Sequence, residues 1–141
     1  MNEQAVAFTI PGNPVGKGRA RSTASGIHYT PDKTRNHEAF VKMIAKQAMF
    51  SNPPMKGACA VEIRVNVTIP KSTSNKKRDL MLRGFIRPTK RPDNDNIEKA
   101  INDAMNGIVF DDDVQIVDNH TTKWYSEFSE TTVFVREVAQ C

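Results

Sequence analysis

The sequence predicts a single α+β domain in which two main helices pack on a small, mostly antiparallel or mixed β-sheet. Three observations lead to this expectation. The chain has 141 residues, which is enough for one domain with its own core. Some segments alternate apolar and polar residues, as half-buried strands do, and two others carry apolar residues at helical spacing. Their order is β, α, β, loop, α, β, β without repeat or linker, so we expect residues 1–141 to form one domain.

The N-terminal half contains two predicted strands separated by a helix. Residues 6–10 alternate, which predicts a strand, and the arm that follows at 11–21 (PGNPVGKGRAR) is basic and rich in glycine. The spacing of these glycines does not match a phosphate-binding loop, so we expect no nucleotide cofactor. Residues 33–50 carry one apolar stripe at helical spacing, and Asn52-Pro53-Pro54 ends that helix. Residues 61–69 alternate more clearly than any other segment.

The basic stretch at 71–91 separates the two halves of the chain. It holds eight basic residues and one acid, and it is rich in Ser, Thr and Asn at its start. We expect a mobile loop there, with a short helix near residues 80–82. For most loops of this composition, simple exposure to solvent explains the charge.

The C-terminal half is expected to contain the second helix and the last two strands. The helix begins near Asn96, with Asp95 or Asn96 as its N-cap, and Asn106-Gly107 ends it. Strands are predicted at 114–123 and 131–138.

The charge of the chain is divided unevenly along its length. The net charge is +4, but residues 17–91 sum to +13 and residues 92–141 to −8. This asymmetry is typical of a surface that binds a polyanion beside a site that needs carboxylates. Two oppositely charged faces that attract each other would give the same counts, and charge alone favours neither explanation.

Two acidic groups flank the second helix. Asp93 and Asp95 precede it, and Asp111–Asp113 follow it. The helix is about 18 Å long at 1.5 Å per residue, so the groups can meet only if residues 107–113 fold back along it. If they meet, their hard oxygen ligands suit Mg²⁺ or Mn²⁺, which can polarise a DNA phosphate and activate water. Lys99, one turn beyond Asp95, could orient that water or stabilise developing charge.

Simpler explanations exist for each of these acids. Asp93 and Asp95 could be only turn and cap residues, which is the commoner role of such a pair before a helix. The aspartates at 111–113 could form a solvated turn. Asp103 is expected to be a surface residue of the helix. Trp124 and Tyr125 could stack on a base, but packing in the core is the expectation for them.

The segment RPDNDNIEKAINDAMNGIVFDDDVQI closely resembles the RusA family of Holliday junction resolvases. The family pattern is roughly R-x-D-x-D-N, then a lysine, a helix with Asp-Ala, and D-D-x-Q. The residues that match it are Asp93, Asp95, Asn96, Lys99, Asp103, Ala104, Asp112, Asp113 and Gln115. The opening FTIPGNPVGKGRAR and Tyr29-Thr30-Pro31 are similar to the family's first strand and basic arm. The resemblance therefore covers most of the chain.

This resemblance implies a metal-dependent endodeoxyribonuclease with a RusA-like fold. Asp93, Asp95 and Asp113 would be the essential metal-binding carboxylates, Asp112 a supporting metal ligand, and Lys99 the catalytic lysine. The family acts as a homodimer that cuts four-way junctions by paired symmetric nicks with Mg²⁺ or Mn²⁺. A dimer is physically reasonable because a junction offers two equivalent strands.

The expected partner is branched DNA, held by basic side chains through its phosphates. These side chains are Lys17, Arg19, Arg21, Lys76, Lys77, Arg78, Lys90 and Arg91. Two alternatives remain: a junction-binding or architectural protein without catalysis, and a phage nuclease with broader specificity for branched DNA. With no apolar run of about 20 residues, no signal peptide and only two cysteines, we expect a cytoplasmic protein without membrane contact.

Overall fold

The computed structural model describes residues 4–18, 21, 22, 24, 26, 28, 29 and 32–139. Its strands are β1 (Ala5–Pro11), β2 (Arg21–Ser22), β3 (His28–Tyr29), β4 (Cys59–Thr68), β5 (Ile116–Ser126) and β6 (Glu130–Glu137). Its helices are α1 (Asp32–Met49), α2 (Asn75–Leu82) and α3 (Asn94–Met105), and a 3₁₀ turn covers Asp113–Gln115.

A four-stranded mixed sheet forms the centre of the molecule, in the order β1-β6-β4-β5. β6 pairs antiparallel with both β1 and β4, whereas β4 and β5 run parallel. Parallel neighbours need a long crossover, and the chain between β4 and β5 supplies it with α2 and α3. The α+β class and the mixed sheet expected from the sequence are confirmed.

One face of the sheet carries the core. Ile63, Val65 and Val133 are fully buried there, and they join Val41 of α1 and Ile101 of α3 in one cluster. The strand alternation read from the sequence therefore places its apolar side chains beneath α1 and α3. The opposite face of β4 is exposed at positions 62 and 64, so its charged side chains are free to act at the surface.

Two local structures differ from the expectation. The basic stretch contains a helix of eight residues, α2, whose N-cap Ser74 accepts a hydrogen bond from the backbone N–H of Lys77 (3.3 Å). The short helix expected near residues 80–82 is therefore present, but it begins five residues earlier. Only Met81 of α2 is buried, so no apolar stripe marks the full length of the helix in the sequence. The short antiparallel pair β2–β3 in the basic arm was also not predicted. In the described part of the chain, no helix is both long and apolar enough to cross a membrane.

Candidate functional site

The N-terminus of α3 is set by Asp93. Its side chain accepts a hydrogen bond from the backbone N–H of Asn96 (2.9 Å), which makes Asp93 the N-cap. The expected caps, Asp95 and Asn96, instead lie within the first turn, because the backbone becomes helical at Asn94. A carboxylate at this position lies at the positive end of the helix dipole, which is an electrostatically favourable place for a negative charge.

The basic arm lies directly against this helix end. The backbone N–H of Lys17 donates to the carbonyl of Asn96 (3.0 Å), and that of Gly18 donates to the hydroxyl of Thr34 on α1 (3.1 Å). Gly16 makes this approach possible, since a Cβ there would lie 2.9 Å from Cβ of Pro92. The arm therefore crosses between α1 and α3 and forms one wall of a cleft.

That cleft has a volume of about 970 Å³ and opens at the N-terminus of α3. It is lined by the arm at 14–18, by Lys33 and Thr34 of α1, and by Arg91, Pro92, Asp93 and Asn96. Three basic residues, Lys17, Lys33 and Arg91, thus line the cleft together with one carboxylate and a helix N-terminus. This arrangement favours a negatively charged ligand such as a phosphodiester.

Lys17 is held in place by an ion pair with Asp103. Its Nζ lies 2.9 Å from Oδ2 of Asp103, and about three-quarters of each side chain is buried. The hydrogen bond to Asp103 raises the pKa of Lys17, although partial burial opposes the shift. Asp103 was expected to be a surface residue of the helix, but it is a partly buried ion-pair partner of Lys17. The spacing of Asp95, Lys99 and Asp103 at i, i+4 and i+8 is the signal that could have drawn attention to it.

The acids at 111–113 occupy a turn that is anchored by Gln115. Its side-chain amide donates to the carbonyls of Met55 and Gly57 (2.9 Å each), and its Oε1 accepts from the backbone N–H of Asp112 (3.0 Å). Asp111 is turned away and pairs with Lys56 at 3.0 Å. Of these three acids, Asp112 and Asp113 form no ion pair among the described residues.

Asp113 lies in crowded negative surroundings. Its pKa is raised, chiefly by burial, then by a hydrogen bond and repulsion from Asp112, and further by the charge of Asp103. The influence of Asp103 places the 112–113 turn beside the C-terminal half of α3. A cation bound here would relieve the repulsion among these carboxylates.

The return path that the sequence left open is present, but it brings different residues together. β5 runs back along α3, where Thr121 accepts through its carbonyl from Asn94 (3.1 Å) and donates through its hydroxyl to Glu98 (2.8 Å). Asp93 and Asp95 nevertheless stay at one end of α3, and Asp112 and Asp113 stay near the other. Among the described residues, no group of three or more acids, histidines or cysteines is arranged to hold a metal ion.

The remaining predicted side chains fall into three groups. Lys99, Lys76, Lys77 and Lys90 are exposed, and Lys99 lies on the same face of α3 as Asp95. Arg78 is ion-paired with Glu127 at 2.6 Å. Arg19 and the side chain of Arg21 lie outside the described residues.

Comparison with known proteins gives two findings. The family model described as "Endodeoxyribonuclease RusA" matches residues 11–136. "Uncharacterized protein YqaN" of Bacillus subtilis (strain 168) is 34% identical over 139 residues, which covers 95% of this chain and 97% of that protein.

Proposed function

Since this chain belongs to the RusA family of endodeoxyribonucleases, we propose that it resolves four-way DNA junctions by paired symmetric nicks in a reaction that depends on Mg²⁺ or Mn²⁺. Membership itself implies an endodeoxyribonuclease that acts on branched DNA. The observation that carries the proposal is the cleft at the N-terminus of α3, which is lined by Lys17, Lys33 and Arg91 together with Asp93. We propose that residues 1–141 form one endonuclease domain, which acts in the cytoplasm of a bacterial or phage-infected cell during recombination, repair or phage DNA processing.

The proposed metal ligands are Asp93, Asp95, Asp112 and Asp113. All are carboxylates, the donor type that Mg²⁺ and Mn²⁺ prefer. Asp112 and Asp113 also lie close enough to repel each other, so a bound cation would stabilise both in their charged form. A divalent ion at these residues would polarise a phosphoryl oxygen and lower the pKa of a water molecule.

The other catalytic contributions come from the protein itself. Lys99 is exposed on α3 one turn after Asp95, where its ammonium can orient water or stabilise charge that develops on the phosphate. Lys33 and Arg91 hold the phosphate backbone at the cleft mouth. The ion pair with Asp103 fixes the side chain of Lys17, so its ammonium group is already in position before DNA binds.

A homodimer explains two features at once. Paired cuts in a two-fold symmetric junction need two equivalent sites. In addition, the carboxylate pairs of one chain lie toward opposite ends of α3, which spans 12 residues or about 18 Å. We therefore propose that each site combines Asp93 and Asp95 of one subunit with Asp112 and Asp113 of the other.

Mixing two inactive variants tests this arrangement. Heterodimers of Asp95→Asn with Asp113→Asn would contain one fully intact site and one site that lacks both groups. We expect these mixtures to regain single-strand nicking, whereas each variant alone is inactive. If mixtures stay inactive after subunit exchange is verified, the sites are not shared.

The catalytic assignment is tested by separating binding from cleavage. We expect Asp95→Asn to bind a synthetic four-way junction with wild-type affinity and to leave it uncut, and EDTA to stop nicking without dissociating the complex. Asp118→Asn is a matched control, because Asp118 is an exposed aspartate of β5 outside the proposed site. Full cleavage by Asp95→Asn, or cleavage in EDTA, would contradict the mechanism.

A junction-binding protein without catalysis is the second candidate. Two observations favour it: Asp93 serves as a helix cap, and in the described part of one chain no group of three or more acids is arranged to hold a metal ion. Both candidates predict binding, so incubation of a labelled junction with protein and Mg²⁺ is decisive. Nicked products support the nuclease, and an intact junction in a stable complex supports the binding protein.

A further inference from the structure

A tryptophan on the surface of the sheet carries two arginines. Trp124 was expected in the core, but its ring is only partly buried, and it lies on the sheet face opposite α3. The guanidinium carbon of Arg87 lies 3.4 Å from the ring centroid, and that of Arg64 lies 4.5 Å from it. These distances are within the range of cation–π contacts and keep the two guanidinium carbons within about 8 Å of each other.

Each member of this group is held by a second contact. The indole N–H of Trp124 donates to the hydroxyl of Thr122 (2.8 Å). The Nε–H of Arg87 donates to the carbonyl of Lys123, and that of Arg64 donates to the side-chain oxygen of Asn66 (3.4 Å). Both arginines are thus oriented through Nε, which leaves the outer Nη atoms for a ligand.

The two arginines differ from their basic neighbours in their contacts. In the part of the chain that the structure describes, neither Arg64 nor Arg87 forms an ion pair, although Arg78 and Arg83 on the neighbouring helix do. Both side chains are exposed. Two like charges that contact one ring repel each other, and phosphates bound at their Nη groups would offset that repulsion.

The backbone connects this group to the cleft. β5 is an edge strand, and its successive residues Lys123 and Trp124 point to opposite faces of the sheet. Arg87 stacks on Trp124 at the outer face, whereas Lys123 holds the carbonyl of Lys90 (2.8 Å). The segment 87–92 therefore wraps around the sheet edge, and Arg91 of the cleft lies within about 14 Å of Arg87 along the chain.

We propose that Arg64 and Arg87, positioned by the ring of Trp124, bind phosphates of a DNA arm whose backbone continues along the sheet edge into the cleft. This inference rests on the proposed function, since it names a further contact for the same branched DNA. Arg64 and Arg87 are binding residues, and Trp124 is a positioning residue.

The salt dependence of junction binding tests the proposal. Each phosphate contact contributes about 0.9 to the slope of log K against log salt concentration. In EDTA, we expect the double variant Arg64→Gln/Arg87→Gln to reduce the magnitude of that slope by about two. The matched control is Lys46→Gln/Arg136→Gln, which removes the same charge from α1 and from the distant end of β6 and should leave the slope within about 0.5 of wild type.

Variants of the ring test its positioning role. Trp124→Leu should reduce the slope as the double arginine variant does, whereas Trp124→Phe should retain the wild-type slope because it keeps an aromatic platform. Trp124 is the only tryptophan in the sequence, so iodide quenching of its fluorescence reports on this site alone. Bound junction should reduce that quenching, and equal quenching in free and bound protein would overturn the proposal.

The outcomes separate this inference from the function on which it rests. Wild-type protein could bind and nick the junction while Arg64→Gln/Arg87→Gln shows the same salt-dependence slope as the control Lys46→Gln/Arg136→Gln. In that case the Arg64–Trp124–Arg87 site is wrong and the proposed function stands. If wild-type protein does not bind the junction at low salt, both fail.

Discussion

Asp93 is proposed to act both as a helix cap and as a metal ligand, and two substitutions separate these roles. Asn is as good an N-cap as Asp, so Asp93→Asn should keep the 2.9 Å hydrogen bond to the N–H of Asn96 and lose only the charge. Asp93→Ala loses both. The alternative from sequence, that this aspartate is only a cap, predicts that the Asn variant is fully active.

The expected change in stability follows from the loss of that hydrogen bond, and the expected change in rate follows from the loss of the charge. Loss of an N-cap destabilises a helix by about 1 kcal/mol. In a chain of 141 residues, this corresponds to a decrease in Tm of about 3 °C for Asp93→Ala, with about 1 °C for Asp93→Asn. Nicking should fall by at least about 100-fold in both variants, which corresponds to about 2.7 kcal/mol of lost transition-state stabilisation.

Two measurements on the same preparations test these values. Thermal unfolding followed by circular dichroism gives the change in stability, and single-turnover nicking of a labelled junction with saturating Mg²⁺ gives the rate. Asp79→Asn is the control, because Asp79 is an exposed helical aspartate that pairs with Arg83 far from the cleft. Wild-type nicking by Asp93→Asn would refute the catalytic role and leave Asp93 as a cap alone.

Three other predictions test the arm, its ion pair with α3, and α1. Gly16→Ala should lower the nicking rate at least about tenfold, because the added Cβ would lie 2.9 Å from Cβ of Pro92 and displace the arm. An unchanged single-turnover rate would mean that the arm does not shape the cleft. A double-mutant cycle on Lys17 and Asp103, measured by urea unfolding, should give a coupling of about 1 kcal/mol for this partly buried pair, and additivity would contradict it. Burial, and repulsion from a neighbouring lysine, lower the pKa of His37 in the folded state, so the unfolded chain binds more protons and stability should fall as pH drops below about 6.5. His37→Gln should lose less stability between pH 7.5 and 5.5 in the same measurement, and an equal loss in both proteins would exclude His37 as a cause.

The strands and main helices could be predicted because their signals are local. Alternation at 61–69 and the apolar stripe at 33–50 depend only on which side chains face the core, and the structure places β4 and α1 there. The N-cap of α3 was misplaced by two or three residues because Asp93, Asp95 and Asn96 are all good cap residues. Sequence does not show at which of them the backbone becomes helical.

Contacts between distant residues could not be predicted. Lys17 and Asp103 are 86 positions apart, and Arg64 and Trp124 are 60 apart, so only the pairing of β4 with β5 and the path of the arm bring them together. Spacing along the sequence could place Lys99 on the face of Asp95. It could not show that the turn at 112–113 lies beside Asp103.

The central claim is that this chain cuts both strands of a four-way junction symmetrically in the presence of a divalent metal ion. Mapping the products of a mobile junction, with each of its four strands labelled in turn and a linear duplex of the same sequence as comparison, tests it most directly. We predict paired nicks at equivalent positions in two opposing strands, only when Mg²⁺ or Mn²⁺ is present, and no cutting of the duplex. An intact junction under these conditions, or equal cutting of the linear duplex, would contradict it.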